Sequence, residues 1–215
     1  MHYQAVIFDL DGTLLNTLDD LADSTNYALA DSGFPARTVE EVRQFVGNGV
    51  AMLIHRAVPD GTSPEDEAAC LDTFRHHYLT HMRSKTVPYP GILELLDRLN
   101  AAECAVAVVS NKFDAAVKGL CADYFGDRVP VAIGESEEVR KKPAPDTVYR
   151  ALEELGVPAE RAVYVGDSEV DIETAHNAGM DCISVSWGFR DTAFLLSKGA
   201  RVVAANPEAL ERLLA

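Results

Sequence analysis

Ala5-Val6-Ile7-Phe8-Asp9-Leu10-Asp11-Gly12-Thr13-Leu14-Leu15 decides how the rest of the chain is read. The β-formers Ala5 to Phe8 run without a polar residue and stop at two aspartates spaced i, i+2, followed by Gly and Thr. A continuous apolar run that ends in a turn signal is a strand buried on both faces, as in a parallel sheet. In open α/β sheets ligands sit beyond the carboxyl ends of strands, which puts Asp9 and Asp11 at the mouth of a crevice. Period 2 alone places both on one face if the strand continues that far. Two carboxylates so close repel, and the arrangement is costly unless a cation lies between them or one holds a proton.

Past Leu15 the pattern turns helical. Asn16 to Ser32 offers an apolar face from Leu18, Leu21, Tyr27, Ala28 and Leu29, and Gly33 stops it where a C′ glycine is favoured. Thr38-Val-Glu-Glu41 is a capping-box signature for a second helix, Gly47-Asn48-Gly49 breaks it, and Val50 to Val58 resumes. Ser63-Pro64 opens a further helix reaching about Met82. The stiff, Pro-rich Thr86-Val87-Pro88-Tyr89-Pro90-Gly91 then marks a boundary. Beyond it strands are predicted at Cys104–Val109, Val131–Ile133, Ala162–Val165, Cys182–Val185 and around Arg201–Val203, with helices between most of them. Such alternation predicts an α/β fold with a doubly wound parallel sheet. The core is expected over residues 1–15 and 87–215, with a small α-helical domain, residues 16–86, inserted after the first strand.

The composition narrows the partners. Nineteen basic against 34 acidic residues leave a formal net charge of −15 over 215 residues, a field that disfavours nucleic acid and anionic membrane. A small anion can still bind through locally placed cations. No apolar run approaches the roughly 18 residues of a membrane span, and the N-terminus has no cationic segment leading into an apolar one, so a cytoplasmic protein, monomer or homodimer, is expected. Cys70, Cys104, Cys121 and Cys182 lie far apart with no zinc spacing and read as reduced packing residues.

Polar residues that ordinary packing does not ask for stand at the predicted strand ends: Asp9 and Asp11, Ser110 with Asn111, Lys142 in Arg140-Lys-Lys-Pro-Ala-Pro-Asp146, and Asp167 with Asp171. Taken alone, Asp167 and Asp171 fit an N-cap with its first-turn acid. An EF-hand is excluded for the first stretch, because Gly12 is at its fourth position instead of its sixth. Together, Asp9-Leu-Asp-Gly-Thr13, Ser110, Lys142-Pro143 and Gly166-Asp-Ser-Glu-Val-Asp171 resemble, in order, the four motifs of the haloacid dehalogenase-like superfamily. The helical insertion sits where that family carries its first cap domain, so the resemblance spans the whole chain.

The resemblance implies roles. Asp9 would be the nucleophile that forms an aspartyl-phosphate. Asp11 would protonate the leaving alkoxide and then deprotonate the attacking water; the dehalogenase branch needs no acid here, so Asp11 points to phosphoryl transfer. Asp9, Asp167 and the main-chain carbonyl of Asp11 would hold Mg²⁺, with Asp171 reaching it through water. Ser110 and the amides after it, Asn111 first, would bind the phosphoryl oxygens, and Lys142 would balance the charge, with Lys141 as a rival. Lys112 reads equally as a solvated loop charge or a site residue.

Within the superfamily, Phe45-Val-Gly-Asn-Gly-Val50 followed by Leu53-Ile-His-Arg56 resembles the cap of phosphoglycolate phosphatases. That implies substrate contacts from Gly47, Asn48 and Gly49, and a carboxylate taken by Arg56 or Arg43. No lysine lies between Asn16 and Ser84, so the cap lacks the Schiff-base lysine of phosphonoacetaldehyde hydrolases. The histidine of β-phosphoglucomutases, ten residues past the second Asp, is replaced by Leu21. The expectation is a Mg²⁺-dependent phosphatase of a small phosphate ester. Pyrophosphatase and broad sugar-phosphate or nucleotide phosphatase activities stay open, since one core runs all of them. From a different class, a phospho-accepting receiver module also gathers acids, a Ser or Thr and a Lys at parallel strand ends, but such domains are about half as long and lack the insertion.

Overall fold

Ala5–Phe8 forms a strand (β1) buried along its whole length, and Asp9 follows at its carboxyl end. The computed structural model describes residues 2–137 and 139–215, and the chain divides into two units, Met1–Leu15 with Pro88–Ala215, and Asn16–Val87. It leaves the first unit through a two-residue strand, Leu15–Asn16 (β2), and returns through Val87–Pro88 (β3), which pairs with it.

The first unit holds a six-stranded sheet. After β1 come Ala105–Phe113 (β4), Val131–Glu135 (β5), Ala162–Gly166 (β6), Asp181–Val185 (β7) and Val203–Ala204 (β8), in the spatial order β5-β4-β1-β6-β7-β8, with every pairing parallel. The chain builds outward from β1 to β5, then returns to the other side of β1 to lay down β6. The direction therefore reverses between β1 and β6, where a doubly wound sheet opens its binding crevice. Register makes this concrete. Phe8 pairs with Val108 on one side and Val165 on the other, so Asp9 leaves the sheet level with the end of β6.

The near-continuous apolar character of β1, β4 and β6 reflects burial on both faces. Ile7, Val109, Ile133 and Tyr164 share one apolar cluster with Val148, Ala151 and Leu152 of the helix Asp146–Leu155. Two departures from expectation stand out, the first of them at the site. β4 continues past Val109 to Phe113 with a register shift between those residues, so Ser110, Asn111 and Lys112 lie on an irregular strand end and not in a loop. A short helix at Thr192–Ser197, capped by Asp191 on the Phe194 N–H, was not expected.

The second unit is built on four helices, Leu18–Asp31 (α1), Val39–Phe45 (α2), Val50–Ala57 (α3) and Pro64–His81 (α4). The expected capping box is present at Thr38 and Glu41, and Ser63 caps α4 with Pro64 at its first position. Phe74 and Tyr78 of α4 are buried and stack with ring centroids 5.4 Å apart. Among the described residues, no helix is long and apolar enough to cross a membrane.

Candidate active site

The turn after β1 is tight: the N–H groups of Thr13, Leu14 and Leu15 all donate to the Leu10 carbonyl. Gly12 has φ +87° inside it, a conformation that only glycine adopts freely. A Cβ on Gly12 would run into the Asp167 carboxylate, and so would one on Gly188 from the loop after β7. The two glycines thus make room for a carboxylate at the end of β6, beside Asp9. Asp167 is held there by the Thr13 hydroxyl on Oδ1 (3.2 Å) and the Phe189 N–H on Oδ2 (2.7 Å).

Lys142 enters from the loop before the helix Asp146–Leu155, its side chain 3% exposed. Its Nζ donates to Asp9 Oδ1 at 2.7 Å, Asp171 Oδ1 at 2.8 Å and the Tyr164 hydroxyl at 3.0 Å, which uses all three of its donors. Lys141 is exposed, so Lys142 is the lysine that reaches the acids. Asn111 anchors this lysine's main chain: its amide accepts from the Lys142 N–H at 2.7 Å and donates to the Lys142 carbonyl at 3.0 Å. These bonds occupy the Asn111 side chain and leave untouched the expectation placed on its main-chain amide.

Asp171 is saturated as well. Oδ1 accepts from Lys142 and from the Tyr164 hydroxyl (2.9 Å), and Oδ2 accepts from the Ser168 N–H (3.1 Å) and Oγ (2.6 Å). A direct metal bond from Asp171 would displace one of these donors. As placed, it holds Lys142 and the start of the helix Glu169–Ala178.

Asp9, Asp167 and Asp171 bring carboxylate oxygens within 4.8 Å of one another, all three buried. Burial pushes the Asp9 carboxyl up; Lys142 pulls it down and Asp171 pushes it up again, leaving it at about 7. Burial, with Asp9 and Asp171 beside it, pushes Asp167 well above the usual carboxylate range. Burial opposes the Lys142 ammonium, yet Asp171 and Asp9 outweigh it and hold that lysine well above its ordinary value. Counting Asp11, four carboxylates face the two ammonium groups of Lys142 and Lys112. With all four ionised, the two negative charges left over and the all-oxygen donor set fit one hard divalent cation.

The second ammonium was the open one in the sequence. Lys112, its side chain 4% exposed, places Nζ 2.6 Å from Asp11 Oδ1. Ser110 is buried; its Oγ accepts from the Lys112 N–H at 3.2 Å and lies 3.5 Å from Asp11 Oδ2, at the limit of a hydrogen bond. Tyr164 and Gly188 were missed in the sequence. Tyr164 was legible in principle, since a tyrosine inside a buried strand must find a partner for its hydroxyl.

Gly47, Asn48, Gly49 and Arg56 lie in the helical unit. Arg56 donates to the Phe45 carbonyl at 2.7 Å and to Asn48 Oδ1 at 2.8 Å, so its guanidinium ties down the Gly47–Gly49 turn of its own unit. Two of the five Arg56 donors are thus placed within its own unit. Arg43 pairs with Glu40 at 3.4 Å.

Residues 6–185 match the family model of the haloacid dehalogenase-like hydrolases. A phosphoglycolate phosphatase of Pseudomonas savastanoi pv. phaseolicola is 36% identical over 190 residues, covering 86% of this chain and 70% of the relative. One of Mesorhizobium japonicum is also 36% identical over 190 residues, covering 86% of this chain and 84% of its own. The crystal structure of a candidate phosphoglycolate phosphatase from Lactobacillus delbrueckii subsp. bulgaricus superposes with a TM-score of 0.96 at 37% identity, over 100% of this chain and 99% of that one. With acids, lysine and glycines converging at the β1/β6 crevice, the chain belongs to the haloacid dehalogenase-like hydrolases, in their phosphatase branch.

Proposed function

We propose that this phosphatase hydrolyses a small phosphomonoester in two steps through a phosphoryl group carried on Asp9, that its metal is Mg²⁺, and that phosphoglycolate is its best substrate. The observation that carries this reading is the buried Lys142 ammonium on Asp9, at 2.7 Å, beside the cluster of Asp9, Asp167 and Asp171. In the first step an Asp9 oxygen attacks phosphorus, the bond from phosphorus to the ester oxygen breaks, and that oxygen takes the proton of the Asp11 carboxyl. In the second, water attacks the same phosphorus and gives its proton to Asp11, while the phosphorus–Asp9 bond breaks and frees phosphate. Lys142 holds the Asp9 oxygen in place and offsets the charge that builds up there. Ser110 Oγ and the main-chain N–H groups around it supply donors for the phosphoryl oxygens. Asp9 and Asp167, with the Asp11 carbonyl, would hold Mg²⁺, which when bound draws the phosphate dianion toward an otherwise repelling carboxylate. Asp171 acts through Lys142.

Phosphoglycolate is favoured by the names of the relatives at 36% identity. The Gly47–Gly49 turn, tied by Arg56, is the helical unit's candidate for substrate contact. The test is kcat/KM over phosphoglycolate, pyrophosphate, sugar phosphates, nucleotides and an aryl phosphate. Phosphoglycolate should lead, and Asp9→Asn should lower turnover of every ester by at least about 1,000-fold with the fold retained. Full turnover by Asp9→Asn, or by the wild type in excess EDTA, overturns the mechanism. A larger kcat/KM for pyrophosphate or a sugar phosphate overturns the substrate.

A further inference from the structure

We infer that Lys112 is the specificity-determining residue for the leaving group, and that it selects esters carrying a carboxylate on the carbon that bears the ester oxygen. This rests on the reaction proposed above, in which Asp11 faces that oxygen. Lys112 and Lys142 are the buried lysines among the described residues. Lys142 spends its three donors on Asp9, Asp171 and Tyr164, which ties it to the nucleophile. Lys112 is paired instead with Asp11, the group that handles the leaving oxygen.

The match is geometric. Asp11 Oδ1 and Lys112 Nζ are 2.6 Å apart. An α-hydroxy acid presents its hydroxyl oxygen and its nearer carboxylate oxygen about one hydrogen-bond length apart. Set against the Asp11–Lys112 pair, the ester oxygen meets the carboxyl and the substrate carboxylate meets the ammonium. A carboxylate one carbon further out overshoots the ammonium, and an uncharged leaving group leaves that contact unmade. Lys112 is also well placed for selectivity because it is buried. A charge-assisted hydrogen bond in a site shielded from water discriminates better than one on the surface. The rival cation, Arg56, already donates to Phe45 and Asn48.

The readout is the ratio of kcat/KM for phosphoglycolate to that for ethyl phosphate, which has the same two carbons and no carboxylate. Lys112→Met should cut this ratio by about 10- to 100-fold, the worth of one hydrogen bond to a charged group, and Lys112→Arg should recover most of it. Arg56→Ala should lower both substrates together. An unchanged ratio in Lys112→Met, or a ratio that collapses in Arg56→Ala instead, overturns the assignment. Should Lys112→Met fail to fold, the wild type alone decides: it must prefer phosphoglycolate to the phosphate ester of 3-hydroxypropanoate, and the reverse preference overturns the inference. Ethyl phosphate turnover that disappears in Asp9→Asn establishes the underlying reaction whatever Lys112 does. No turnover of any phosphomonoester removes that reaction and the inference together.

Discussion

At the scale of single residues, much of the site consists of room left for Asp167. Gly12 combines a positive φ with a Cβ position already filled by the Asp167 carboxylate, so alanine there is penalised twice. Gly12→Ala should cost on the order of 1–3 kcal/mol in stability from backbone strain. By displacing Asp167 it should also lower kcat by about 100-fold, the effect of misplacing one reacting group by an ångström. Denaturant unfolding and steady-state kinetics check both. A variant that is merely destabilised, with wild-type kcat, would show that Asp167 does not depend on this glycine. The acids, Gly12 and Lys142 were legible because their chemistry is unusual for a strand end and their order forms a pattern. The partners of those residues were not. Tyr164 announces that its hydroxyl needs a partner but not that the partners are Lys142 and Asp171, and Gly188 falls in a loop with no pattern of its own. Lys112 stands two residues past Ser110, outside the four motifs; only its burial against Asp11 separates it from a surface charge.

At the scale of elements, the boundaries set by capping chemistry were readable and those set by tertiary pairing were not. Thr38 with Glu41, and Ser63 with Pro64, announce their helices locally. The extension of β4 to Phe113 depends on Phe113 pairing with Glu135 of β5, which no local signal contains. β8 likewise exists through pairing with β7, which moves it to Val203–Ala204. Asp20 is a similar case inside the helical unit. It looks like a first-turn acid of α1, yet it is buried and accepts from the Lys85 N–H (3.0 Å), the Thr86 N–H (2.9 Å) and the Thr86 hydroxyl (2.8 Å). It thereby fastens the start of α1 to the end of the same unit. Asp20→Ala strands those donors and should cost about 2–4 kcal/mol, the desolvation penalty of two or so unsatisfied buried groups. Limited proteolysis should then cut first near residues 82–86, and an unchanged unfolding midpoint would show that water replaces the carboxylate without loss.

For the whole molecule, a formal net charge of −15 makes any buried, uncompensated carboxylate a liability, and the first unit concentrates them at one strand edge. Asp9 is pushed up to about 7 and Asp167 is raised with it, so the folded chain without metal holds protons that the unfolded chain has already released. A raised carboxyl contributes stability at low pH and loses it as pH climbs from the unfolded value, near 4, to the folded one, near 7. Stability of the metal-free protein should therefore fall across that window by up to a few kcal/mol. His77, held below its usual value by burial and by His81, acts in the opposite sense near the top of the window. The Mg²⁺-induced change in Tm isolates the acidic site from His77, which lies in the helical unit. Mg²⁺ competes with the protons on Asp9 and Asp167, so it should raise Tm little at pH 4.5 and by roughly 5–10 °C at pH 7.5. Asp167→Asn should abolish the increment at pH 7.5 while raising the metal-free Tm, because it removes a carboxyl that the folded chain must protonate in order to bury. An increment equal at both pH values, or one that survives Asp167→Asn, would place the cation somewhere other than the crevice between β1 and β6.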